Sequence, residues 1–217
     1  MNKIKPFLII IALALLAPVA VLAHNPRIVD GGGIVEVKKP AISQAFYGQL
    51  KGQSQYFAIN AEESLDLYVG LLVPDKAGAQ TGVTAEVIKG ADKGREVIGV
   101  LDGARFNWTT MHEPFGGDYY RKGPEFTSQV QPGQYLIHVY SQNFNEKYAL
   151  VIGQKESFSP SEIWNTLKTL PTLKKDFFEK SPWTAYFNYI GLMMLIFILI
   201  LAVVVWPVYK LIKKQRS

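Results

Sequence analysis

The chain has no cysteine and only three histidines, His24, His112 and His138, among 217 residues. Without cysteine there is no disulfide framework, no thiolate metal site and no thiol nucleophile. No Gly-x-Ser-x-Gly elbow, no His-Glu-x-x-His pair and no phosphate-cradling loop occurs either. The Gly31-Gly32-Gly33 run is followed by a strand-like segment rather than a helix, so it reads as a flexible joint. Acids are missing from both ends, since all 18 lie between Asp30 and Glu179. These gaps point away from an enzyme and away from a bound cofactor. A cysteine-free exported domain must be held by its core alone, and about 130 residues are enough for one. That absence favours a prokaryotic envelope.

What is present first is an apolar run at each end. Lys3 and Lys5 precede the apolar stretch 7–17, and Val21-Leu22-Ala23 supplies small residues before a cleavage point. Residues 1–23 therefore read as a secretory signal peptide, and cleavage after Ala23 makes His24 the mature N-terminus. Residues 186–205 carry no charge, and 20 residues at about 1.5 Å each span about 30 Å, the thickness of a bilayer core. Trp183, Tyr186 and Tyr189 flank one end, and Trp206 and Tyr209 the other, as interfacial rings do. Lys210, Lys213, Lys214 and Arg216 follow, and basic residues beside a span stay cytoplasmic. The expectation is a type I single-pass protein of the cytoplasmic membrane. Its transmembrane helix covers 184–209, residues 210–217 form a cytoplasmic tail, and the middle lies in the periplasm or at the cell surface.

This topology accounts for the charge. Of 23 basic residues, six (Lys3, Lys5, Lys210, Lys213, Lys214 and Arg216) belong to the ends, leaving 17 against 18 acids between them. The formal +5 and the pI near 9.2 thus report membrane orientation, and nucleic acid is excluded as a partner.

Between 34 and 153, short β-branched and aromatic runs alternate with Gly, Pro, Asn and Asp. Strands are expected at 34–37, 42–50, 55–59, 65–73, 83–88, 96–101, 126–130, 134–140 and 147–152. Tyr135, Ile137 and Val139 share one face of their strand, as do Tyr148, Leu150 and Ile152 of theirs. Residues 24–155 are therefore an all-β ectodomain, an antiparallel two-sheet sandwich of jelly-roll-like character. Residues 156–183 differ. Ser159-Pro160-Ser161-Glu162 is a helix start, Ile163, Leu167 and Leu170 recur at helical spacing, and Pro171 interrupts. Trp164, Phe177 and Phe178 are too apolar for a free tether, so this juxtamembrane segment packs on the sandwich or lies along the membrane.

The stretch Gly-Gln-Tyr-Leu-Ile-His-Val-Tyr-Ser at 133–141, a polar turn and Lys-Tyr-Ala-Leu-Val-Ile at 147–152 resemble the closing hairpin of bacterial pre-peptidase C-terminal-type sandwiches. Gly-Gln-Leu at 48–50, Gln-Tyr-Phe-Ala-Ile at 55–59 and Ser-Leu-Asp-Leu-Tyr-Val at 64–69 are similar to its opening strands. The resemblance covers 46–153 and implies a small extracellular accessory module. In that family such modules usually accompany a catalytic domain, and no such domain occurs here. Residues 105–125 have no counterpart in it.

That segment is the candidate binding surface. It interleaves Trp108, Phe115, Tyr119 and Tyr120 with His112, Glu113 and Asp118 around a Pro-Phe-Gly-Gly turn. Aromatics beside polar groups on a loop give contact area at low entropic cost. The alternative is that the rings plug an open end of the sandwich. A second candidate starts from His24: a free α-amine and its imidazole, with His112 or His138 as third ligand, resemble the histidine brace of exported copper proteins. The leading expectation is a non-catalytic anchored sandwich that binds an envelope protein or a surface polymer. The alternatives are a copper-binding protein using His24 and an accessory subunit whose span is its interface.

Overall fold

The computed structural model describes residues 24–90, 94–143, 145–157 and 159–215, apart from the side chains at 204 and 207–215. The expected signal peptide, its cleavage point and the last two residues of the basic tail lie outside the described residues.

The strands are β1 (Asn25–Ile28), β2 (Ile34–Glu36), β3 (Gln44–Gln49), β4 (Gln55–Ala61), β5 (Leu65–Pro74), β6 (Thr84–Lys89), β7 (Glu96–Asp102), β8 (Thr109–Glu113), β9 (Asp118–Val130), β10 (Gly133–Tyr140) and β11 (Lys147–Ile152). They form a six-stranded sheet ordered β1-β3-β11-β5-β9-β8 and a five-stranded sheet ordered β2-β4-β10-β6-β7. The architecture is a β-sandwich. Pairing is antiparallel except at one edge of each sheet, where β1 runs parallel to β3 and β2 parallel to β4.

Alternation builds the core. Phe57 and Ile59 of β4, Tyr135, Ile137 and Val139 of β10, and Tyr148, Leu150 and Ile152 of β11 all lie in one buried cluster between the sheets. Each fully buried side chain of this kind contributes about 1.5–3 kcal/mol. Two strands and half of a third fall where the sequence reading placed none: β1, β8 and the first part of β9. Pro26 weakens the strand signal of β1 but is tolerated because β1 pairs on one side only. In β8 and early β9 polar residues occupy both faces, so no two-residue period marks them. The segment taken as a loop is mostly a hairpin.

A second apolar cluster lies on the outside of the six-stranded sheet. Here Ala45, Tyr47, Leu72, Tyr120, Ala149 and Val151 meet Leu173, Phe177 and Phe178 from the C-terminal segment. The β5–β9 pairing shifts register between Gly70 and Leu72, with one extra residue on β9, so that Phe126 and Val130 face the inner core while Tyr120 faces the outer cluster. The covering strap begins with α1 (Pro160–Thr172), whose cap Ser159 accepts the Glu162 N–H as its sequence foretold. Pro171 lies inside α1 rather than ending it, and the chain continues into a π-turn, Leu173–Phe177, closed by the Phe178 N–H on the Leu173 carbonyl at 3.0 Å. Burial of Leu170, Leu173 and Phe177 outweighs the hydrogen bond that a proline cannot donate. A 3₁₀ turn, Pro182–Tyr186, then leads into α2 (Tyr189–Gln215).

Helix α2 has 27 residues. Its side chains are described without a break over 189–203, and among the described residues no helix is long and apolar enough to cross a membrane. The transmembrane expectation rests on the sequence.

Candidate functional site

The hairpin of β8 and β9 is clamped rather than free. Asp118 and Lys174 are both almost fully buried, and the Lys174 Nζ donates to Asp118 Oδ2 at 2.5 Å and to the Gly116 carbonyl at 2.5 Å. Lys180 donates to the other Asp118 oxygen at 2.9 Å. Glu113 folds back over its own turn and accepts the N–H groups of Phe115 and Gly116, each at 2.7 Å. Burial pushes the Glu113 carboxyl above the usual carboxylate range, and those two donors partly offset it. Asn188 completes the clamp. Its Nδ2 donates to the Gly116 carbonyl at 2.9 Å and its Oδ1 accepts the Gly191 N–H at 3.1 Å, so the residue that caps α2 also holds the sandwich. One carbonyl, that of Gly116, thus receives a donor from the strap and a donor from the head of α2.

The expected binding residues are therefore divided. Asp118 serves the clamp. Tyr120 is buried, with its hydroxyl 2.8 Å from that of Tyr47, and burial raises both hydroxyls above the ordinary phenol range. Trp108 packs against the inter-sheet core and donates to the Gly103 carbonyl at 2.7 Å, the plugging role weighed above. Phe115 and Glu113 are half-buried in the turn. Only His112 and Tyr119, in tilted contact at 4.6 Å and 40°, are exposed. An open aromatic recognition loop is not what this stretch forms, because the strap covers its base.

The three histidines are far apart. His24 adjoins β1 at one edge of the six-stranded sheet and His112 sits on β8 at the other, five strand spacings or roughly 24 Å away. His138 lies on the outer face of the opposite sheet, in register with Tyr56 and Glu86. His24 Nδ1 instead lies 2.5 Å from the Ser43 hydroxyl, and burial lowers the imidazole to about 4. The copper set of His24 with His112 or His138 is not assembled. Among the described residues no group of three His, Cys, Asp or Glu can hold a metal ion.

The outer face of the five-stranded sheet carries a feature that the sequence reading did not single out. His138 is stacked between Tyr56, at 4.6 Å and 6°, and Tyr140, at 4.8 Å and 27°. Tyr140 donates to Glu86 Oε1 at 3.1 Å, and His138 Nδ1 lies 3.5 Å from Glu86 Oε2. Apolar side chains flank this ladder, with Ile34, Val97 and Val100 all more than half exposed. Among the described residues no element packs on it. The signal that could have found it is alternation itself: whatever faces away from Tyr135, Ile137 and Val139 must include Leu136, His138 and Tyr140.

No family model matches this chain, and no curated protein is similar to it. Several solved structures are, among them these two. The pre-peptidase C-terminal domain of collagenase from Bacillus anthracis is 14% identical, with 56% of this chain and 96% of that chain covered and a TM-score of 0.36. CorA of Methylomicrobium album BG8, described as a surface-associated copper-binding protein important in copper acquisition, is 7% identical, with 59% of this chain and 100% of that chain covered and a TM-score of 0.29. The chain bears a weak β-sandwich resemblance to the pre-peptidase module.

Proposed function

We propose that this chain is a non-catalytic binding module, a β-sandwich held outside the cytoplasmic membrane of a prokaryote on a single span formed by α2. The observation that carries this reading is the clamp at Gly116. A sandwich bonded through Lys174 and Asn188 to the head of an apolar helix is suited to presenting a surface in a fixed pose. A flexible stalk would leave it tumbling. Residues 189–205 of the uncharged stretch lie on the continuous helix α2, and most of its described apolar side chains are exposed to whatever surrounds them. The perturbed titratable groups Glu113 and Tyr120 of the hairpin and Tyr47 of β3 serve packing and the clamp and are not gathered around a cleft.

An envelope protein fits the open face better than a surface polymer. Sugars stack on ring faces, and the facing surfaces of the Tyr56–His138–Tyr140 ladder are taken up by one another. The absence of cysteine gives a clean test. Glu62→Cys in a turn of the sandwich and a cysteine added after Ser217 are each probed with a membrane-impermeant thiol reagent in intact spheroplasts. Labelling of position 62 alone, with the second site reacting only after permeabilisation, is the expected result. The reverse pattern, or equal labelling of both, overturns the anchored topology.

A further inference from the structure

The sandwich has two outer faces. One is covered by its own strap, while the other is equally continuous, carries the ladder and has no cover among the described residues. Antiparallel sheets usually place polar residues on a solvated face. Here the rows that cross the five-stranded sheet read otherwise. The central row runs Ile34, Tyr56, His138, Glu86 and Val100, and the next runs Glu36, Ala58, Leu136, Ile88 and Val97, its one charge lying on the edge strand β2. Such a mixture, aromatic and aliphatic with one hydrogen-bonded carboxylate at its centre, is the composition of an interface core.

The charges say what covers it. The two ionisable groups at the centre, Glu86 and His138, are register partners on neighbouring strands, with side chains 28% and 22% exposed. An acid beside an imidazole is complementary to itself under a two-fold rotation. Place the axis between two such faces, parallel to the strands and midway between β10 and β6. Every outward residue of β10 then meets its own register partner on β6 of the other copy, and every outward residue of β4 meets β7. His138 falls on the second copy's Glu86 and the reverse, Leu136 on Ile88, and Ala58 on Val97. No charge meets its like and no aliphatic residue meets a charge.

Resting on the membrane-anchored reading above, we infer that the outer face of the five-stranded sheet is a self-association surface, and that its occupant is the same face of a second copy. The contact is isologous and closed, with the two sheets packed face to face about 10 Å apart and their central strands aligned. The clamp supports it. Because the sandwich is fixed to α2, every copy in one membrane carries this face at the same height and inclination, which removes much of the entropy that association costs.

The full-length protein is tested in native membranes. Ala58→Cys and Val97→Cys are near-conservative changes, placed on separate chains that bear different tags. Within one chain these positions lie three strand spacings apart, roughly 14 Å, beyond the reach of a disulfide. A short thiol-to-thiol crosslinker is expected to give one product of twice the chain mass that carries both tags. Thr110→Cys, on the strap side, is expected to give none. Glu86→Arg is expected to cut the crosslinked fraction at least about tenfold, and His138→Glu added to it to restore that fraction, since the swapped pair is again self-complementary. If Glu86→Arg proves unfolded by circular dichroism, the cysteine pair decides alone. Absence of the two-tag product overturns the inference, as does a crosslink only to a different protein. In both cases the thiol-labelling topology of position 62 is unaffected, so failure of self-association is distinguishable from failure of the anchored reading.

Discussion

The two outer faces of the sandwich differ in how their apolar surface is resolved. On the six-stranded sheet, Leu173, Phe177 and Phe178 of the strap cover Tyr47 and Tyr120, and the buried Asp118–Lys174 pair locks them down. On the five-stranded sheet no described element lies over the Tyr56–His138–Tyr140 ladder. The difference separates two uses of the same chemistry. Apolar residues covered in cis stabilise the fold, whereas those left open cost little to change and are available to a partner.

The comparison breaks hardest at Asp118. Asp118→Ala leaves Lys174 charged and buried without its carboxylate, and a loss of about 3–5 kcal/mol is expected in chemical denaturation. Lys174→Met is expected to cost clearly less, because Asp118 keeps Lys180 and the methionine stem still packs. Phe177→Ala, which opens a hole between the strap and the sheet, is expected to cost about 3–5 kcal/mol, with the upper value requiring that the strap fail to collapse. Limited proteolysis around residues 156–159 is expected to accelerate in that variant and not in variants of the open face. A third effect is set by pH. Unfolded His24 takes up its proton near 6.5 and folded His24 only near 4, so the unfolded chain holds more protons between those values. Stability is therefore full above pH 6.5 and falls as pH drops towards 4, by roughly 1–2 kcal/mol for this partly buried group. His24→Gln is expected to flatten that part of the curve. The smallest effect is on the open face, where Val100→Ser is expected to change stability by no more than about 0.5 kcal/mol. A large loss there would mean that this face is structural, and the contrast would disappear.

How legible each face was follows from the same contrast. The inter-sheet core could be read from period-two alternation, since Tyr135, Ile137 and Val139 and then Tyr148, Leu150 and Ile152 all turned inward. Helix α1 could be read from Ser159, Pro160 and Glu162, because a cap is local chemistry. The clamp could not. Nothing in the residues around Lys174 distinguishes it from the adjacent exposed Lys175, and its burial depends on an aspartate 56 positions earlier. The packing roles within the 105–125 stretch were hidden for a related reason. Its aromatics and charges look like a recognition loop when the strap that uses them is out of view. Asn188, by contrast, was a detectable signal, an amide just before a long apolar run, which is where a helix cap belongs.

The neck also bears on which heritable changes this chain can accept. A side-chain carbon at Gly191 would come within 1.7 Å of the Tyr186 carbonyl oxygen, and one at Gly117, which has φ of +69°, within 3.2 Å of Asn188. At Gly116 it would meet the Glu113 carboxylate at 2.8 Å, and that carboxylate is already committed to the Gly116 N–H. In a saturation library of the 113–117 turn and the head of α2, these three glycines are therefore expected to be the least tolerant positions, Gly191 above all because its clash is with backbone. The apolar stretch of α2 that they join to the sandwich should accept most exchanges of one aliphatic residue for another.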